Sequence, residues 1–362
     1  MSDTQSGMHT DQGGGQRAYW AYIGSFTSGG GRGITVAAVD PETGALTPRT
    51  TFDPCVNPSC LTLARDTGVL YAVSDTEQGA ARALRTGSDG SLSPLGPPVE
   101  VGASGPAYLS LAGSRLLTAN YASGTVSSLS VGDDGSLSGP ARSFAHRGSG
   151  PDADRQAGPH AHQVLTDPSG RWVLTVDLGT DSVRVCTLDQ DTGELRGHGE
   201  TLLRAGSGPR HLAFHPDGET VYVLHELEPQ MTVCHWDAAS GRLDPLSEVA
   251  IDTEGAPEGV RVYPSVVCVA SDGRFVWAAV RGSDTLLTFS LTDGADKPRL
   301  TDGVACGGNW PRDLVADPAG RRLYVANEWS GDITWFDIDG PSGRLRHAGA
   351  LSVPAAACVV FS

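Results

Sequence analysis

Five side chains of this sequence are of types that move protons or hold anions, and each sits in a short motif punctuated by glycine, proline or the end of an apolar run. His160 and His162 occupy "GPHAH", Arg210 lies in "GPRH", Glu226 in "VLHEL" and Arg281 in "VRGSD". Imidazole and carboxylate groups act as general acids and bases, whereas arginine pairs with carboxylate or phosphate and stabilises developing negative charge. His160 and His162 stand i and i+2, which puts both on one face of a strand. Two imidazoles so placed could ligate a metal together, but no Cys, Glu or third His completes a recognisable set nearby. Acid/base or polarising work is the expectation, with neither metal nor cofactor. There is no Gly-x-Ser-x-Gly elbow to seat a serine nucleophile, and "SFTSGGGRG" lacks the Lys-Ser/Thr of a phosphate-binding loop. Direct acid/base chemistry, or no chemistry, remains.

These residues must be carried by something repetitive, because their motifs recur. The clearest unit is "GPRHLAFHPDGETVYVLHELEPQMTVCHWDAASGRL", from Gly208 to Leu243, and parts of it reappear at Asn57, Gly105, Gly158, Tyr263 and Trp310. The leading prolines Pro58, Pro106, Pro159, Pro209, Pro264 and Pro311 fall at roughly the 40–50-residue period of propeller blades. Within a unit, short alternating runs of Val, Leu, Tyr, Thr and Trp are broken by "PDG", "PSG", "SDG" or "PAG", a strand pattern with no sustained helical stripe. Each unit reads as a four-stranded antiparallel blade, A to D, that must stack on its neighbours to bury its faces. The N-terminal "AYWAYIGSF", "GITVAAVD" and the segment after "PETGAL" supply strands B to D without an A; the C-terminal "VPAAACVVF" supplies an A alone. Together they make a seventh blade, so the expected fold is an all-β, seven-bladed propeller of residues 18–362, closed by pairing its terminal strands. Residues 1–17, polar and Gly-rich, read as a disordered tail.

In a blade the start of A and the end of B return to the same mouth of the channel. Aligning the units there gathers Ser59, Ala107, His162, Arg210, Ser265 and Arg312 in one column, and Ser74, Asn120, Asp177, His225, Val280 and Asn327 in a second. The next residues are Asp75, Tyr121, Leu178, Glu226, Arg281 and Glu328. Charge gathers where a repeat needs only turn residues, and a concave site lined by convergent polar groups is the usual ligand pocket. The catalytic set expected is His160, His162, Arg210, Glu226 and Arg281, with Asp177, His225, Arg312, Asn327 and Glu328 as substrate contacts.

Composition narrows the partners. With 47 glycines, 19% charged residues and a formal charge of −16, the chain lacks the basic footprint that nucleic acid or an anionic membrane requires. No apolar run is long enough for a membrane helix. Seven widely spaced cysteines, five of them in apolar runs, fit buried reduced thiols and a cytoplasmic location. A small-molecule substrate and a monomer or weak homo-oligomer are expected.

The motifs "YIGSFT", "NPSCLTLA", "GPHAHQVLTDPSGRWVLTVDLGTDSV", "GPRHLAFHPDG" with "VYVLHEL", and "SDGRFVWAAVRGSD" resemble the lactonase-type seven-bladed propeller family from about Tyr22 to the C-terminus. That family includes propeller-type 6-phosphogluconolactonases and carboxy-cis,cis-muconate cyclases. Through the cyclase branch, the resemblance implies a His, two Arg and a Glu at the active site, which fall on His160 or His162, Arg210, Arg281 and Glu226. It also marks two departures: Val266 stands where relatives usually carry Glu, and Val280 where they usually carry Asn. If both valines faced the funnel, the substrate would be less polar than a sugar phosphate. Lactone hydrolysis is the activity expected, with a muconate-type cycloisomerase, an enzyme of a specialised biosynthetic intermediate or a non-catalytic binding scaffold as alternatives.

Overall fold

The computed structural model describes residues 19–362; the proposed tail at 1–17 lies outside them. Seven antiparallel sheets follow one another around a central channel. Blades 2 to 6 run A to D in chain order: Pro106–Ala112 to Leu137–Ala145, Ala161–Thr166 to Leu195–Leu202, Pro209–Phe214 to Arg242–Ala250, Tyr263–Val269 to Arg299–Ala305, and Pro311–Ala316 to Leu345–Ser352. Blade 1 begins at Leu61–Ala64, and its outer edge is shared by Leu92–Pro94 and Val99–Glu100. In blade 7, Ala356–Phe361 pairs with Tyr19–Ser25, followed by Ile34–Val39 and Leu46–Phe52. The terminal strands thus close the ring and leave it no open seam.

The apolar runs of the strands meet between blades rather than within them. Seven clusters of buried side chains each bridge one pair of neighbours, from Tyr71 with Leu116 between blades 1 and 2 to Tyr22 with Leu70 across the closure. Aromatic residues on or next to B strands add a directed bond to several of these seams. The Tyr71 hydroxyl donates to the Gly135 carbonyl (2.8 Å), Tyr324 to Gly44 (2.7 Å), and the indole N–H groups of Trp172 and Trp277 to Ala238 (2.8 Å) and Gly343 (2.9 Å). Each acceptor lies in the C–D hairpin of the following blade, so the Gly-bearing turns that punctuate the sequence also register one blade against the next. All seven cysteines are unpaired, five of them buried.

One irregularity recurs at the start of strand A. In blade 4, Pro209 faces His225 and His211 faces Leu224, leaving Arg210 as an extra residue. The same two-against-one count isolates Ala107, His162, Ser265, Arg312 and Ala357 in blades 2, 3, 5, 6 and 7. Each is a β-bulge, a device that bends a strand and re-aims one side chain. Five of the six residues in the first column of the alignment are bulges, and Ala357 extends the ring of bulges to blade 7.

Candidate active site

The bulge ring divides the channel. Above it, a mouth of about 270 Å³ is lined by Asp75, Tyr121, Arg155, Glu226 and Arg281 together with the bulge residues His162, Arg210 and Arg312. Below it, a chamber of about 440 Å³ continues past Tyr108, Gln163, His211, Val266 and Asp313.

Glu226 is the hub of the mouth. Its Oε2 meets Arg281 Nη2 at 2.8 Å and Arg210 Nε at 2.9 Å, while Oε1 accepts from Arg155 Nη2 at 2.5 Å. The Arg210 Nε contact is off the hydrogen-bond direction, so it is a charge contact rather than a directed bond; the Arg210 Nη1 donates instead to the Ser265 carbonyl. Arg281 is held from behind by the Tyr263 carbonyl (3.1 Å) and lies over the Trp310 ring at 5.3 Å. Burial raises the Glu226 pKa, but Arg281, Arg210 and Arg155 outweigh it and hold the carboxyl well below its usual range. Burial, followed by the charge of Arg281, pushes Arg210 down to about 9, still protonated at neutral pH.

His162 faces this cluster as a neutral base. Burial, then Arg210, His211 and two further arginines, keep its pKa well below 6.5, and its Nδ1 is buried without a protein partner. The bulge alters the strand alternation on which the pairing with His160 rests. His160 lies outside the mouth, stacked on Tyr121 (4.5 Å, 18°), and its Nδ1–H donates to the Tyr121 carbonyl at 2.9 Å. His162 meets the same ring edge-on at 5.7 Å. The two imidazoles are therefore turned differently and do not present one chelating face.

Arg312 also lines the mouth and is paired with Glu328 at 3.1 Å. Three of the expected substrate contacts are turned away. Asp177 accepts from the His160, Gly179 and Thr180 amides and contacts His146 at 2.6 Å; His225 Nε2 meets Thr232 at 2.8 Å; Asn327 donates to Asp332 and Thr334. All three are fully buried and tie B to neighbouring strands or loops, because at this level of strand B the side chain points into the blade; it is the next residue, Asp75, Tyr121, Glu226 or Arg281 in blades 1, 2, 4 and 5, that reaches the mouth. Val280 shares this orientation: it is fully buried in the seam between blades 4 and 5. Of the two valines, only Val266 borders the channel, below the bulge ring.

Arg155 escaped the repeat alignment because it lies on no strand. It sits in the connection 146–160, and Gln156 anchors that segment through the Leu178 carbonyl (2.8 Å) and Asp181 (2.7 Å). The unusual length of this connection is the only trace of it in the sequence.

The family model "Lactonase, 7-bladed beta-propeller" matches residues 20–361. The chain belongs to that lactonase family. Among its relatives, the 6-phosphogluconolactonase of Bacillus subtilis (strain 168) is 32% identical over 348 residues, 95% of this chain and 98% of that one. A periplasmic gluconolactonase of Pseudomonas aeruginosa superposes with a TM-score of 0.87 at 30% identity, covering 95% of this lactonase-family chain and 99% of its own. A Bacteroides fragilis structure reaches 0.89 at 28% identity, covering 97% and 100%.

Proposed function

We propose that this lactonase-family member hydrolyses a hydroxylated lactone bearing an anionic group, of the 6-phosphogluconolactone type. The observation that carries the reading is the charge of the mouth: four arginines against Asp75 and Glu226, in a chain whose formal charge is −16. Such a concentration of guanidinium groups is suited to a phosphate or carboxylate and to the oxyanion of a tetrahedral intermediate.

Glu226, held ionised by its three arginines, is a poor base; its work is to position them. His162, neutral and with a free nitrogen, is the base. It removes a proton from water as the water oxygen adds to the lactone carbonyl, and Arg210, its neighbour in the bulge ring, stabilises the resulting oxyanion. Collapse breaks the ring C–O bond, and the proton on His162 passes to the departing ring oxygen. One water is consumed, a hydroxy acid is formed and His162 returns neutral.

The decisive assay follows purified protein, with and without chelator, on 6-phosphogluconolactone, gluconolactone and a muconolactone. Faster turnover of the phosphorylated lactone, unaffected by chelator and reduced about 10²–10³-fold by Arg210→Gln, is expected. Turnover of the muconolactone alone would transfer the site to cycloisomerisation.

A further inference from the structure

Trp310 occupies a position that the scaffold reserves for other residues. Two residues before the bulge, the backbone is left-handed in five blades: Asn57 (φ 43°), Gly105 (60°), Gly208 (61°), Trp310 (65°) and Ala355 (52°). Glycine and asparagine adopt that conformation readily, and a bulky aromatic does so only under strain. Trp310 is kept there by its N–H bond to Asp284 (2.9 Å) and by the Glu328 amide bonded to its carbonyl (3.0 Å). Its ring stacks on Trp329 at 3.7 Å and 5°, and Trp329 is 61% exposed. At the position of Trp329 blades 1 to 5 place Thr76, Ala122, Gly179, Leu227 and Gly282. Neither tryptophan is explained by the turn it sits in.

The free side of the pair opens on a separate pocket of about 450 Å³, lined by Trp329, Phe26, Ser28, Gly29, Glu328 and Ala355. The Arg312–Glu328 pair joins this pocket to the mouth: Arg312 lines the mouth, and Glu328 lines the pocket. Arg312 also lies over the Phe26 ring at 4.7 Å. The pocket therefore offers two aromatic walls, a carboxylate and a serine hydroxyl, beside the candidate active site. That chemistry suits a sugar ring, whose C–H faces pack on aromatic surfaces and whose hydroxyls donate to a carboxylate; the carboxylate disfavours an anionic ring.

We propose that this rim pocket is a second subsite for an uncharged pyranose ring, so that the substrate class extends to glycosylated aldonolactones. The inference rests on the lactonase reading of the mouth, and its test keeps the two apart. Isothermal titration calorimetry of the full chain with lactobionate, which carries a galactosyl ring on a gluconate, is compared with gluconate, which lacks that ring. Lactobionate binds about tenfold more tightly, the scale of one stacked aromatic contact. Trp329→Ala abolishes the difference without altering gluconate affinity or the rate on 6-phosphogluconolactone, and Trp329→Phe retains most of it. Equal affinities in the unsubstituted protein, binding of neither acid, or a Trp329→Ala loss shared by both overturns the subsite. Absence of turnover on 6-phosphogluconolactone overturns the parent reading instead, and the calorimetry still decides the rim.

Discussion

His162 and Arg210 form the pair through which the mouth sets its own pH range. After burial, the Arg210 charge is the first influence lowering the His162 pKa. The unprotonated ring is the active base, so activity lost on acidification is lost at the pH where His162 gains a proton, and that point lies well below 6.5. Removing the positive charge makes protonation easier and raises the pKa. Arg210→Gln should therefore move the acid limb of residual kcat/KM upward toward 6.5, and NMR titration of the His162 ring should shift the same way. An unchanged ring titration would remove Arg210 from this role. Glu226 gives the converse case: its three arginines lower its proton affinity so far that its charge is constant across any working pH, which separates positioning from proton transfer within one cluster.

At the level of the strand, orientation decides which of two adjacent residues reaches the substrate. Val280 closes the pairing of strands B and C in blade 5, where Asn120 and Asn327 in their own blades bond across to strand C. Its side chain faces the seam, opposite Thr285 and beside Leu287. Val280→Asn should cost about 1–3 kcal/mol, because the new amide finds one polar partner where Asn327 finds two. It should leave kcat/KM and substrate preference untouched; a changed preference would mean that the position does face the funnel. The sequence alone could locate the blades, because proline, glycine and apolar runs are local signals of strand and turn. It could align Arg210 and Arg312, because each directly follows a repeated proline, and His162, three residues after Pro159, by the apolar run that begins strand A. It could not reveal that these residues are bulges, since a bulge is a relation between two strands, nor that Asp177, His225 and Asn327 turn inward while Glu226 and Arg281 turn to the mouth and Glu328 to the pocket beside it. Arg155 belongs to no repeat, and no periodicity could place it.

Over the whole molecule, seven similar seams and a terminal latch make a rigid ring, and the ring's overall charge opposes that of its mouth. A formal −16 repels an anionic lactone at long range, while Arg210 and Arg281, with side chains 3% and 7% exposed, attract it at short range. Salt acts unequally on the two. The screening length falls from ~30 Å at 0.01 M to ~8 Å at 0.15 M, which removes repulsion from distant surface carboxylates and barely reaches a buried cluster. Raising the ionic strength over that range should therefore increase kcat/KM for a phosphorylated lactone severalfold through faster association, and leave that of uncharged gluconolactone flat. A decrease for the phosphorylated substrate would show instead that the arginine field projects beyond the funnel and dominates encounter, so that steering by the mouth outweighs repulsion by the molecule around it.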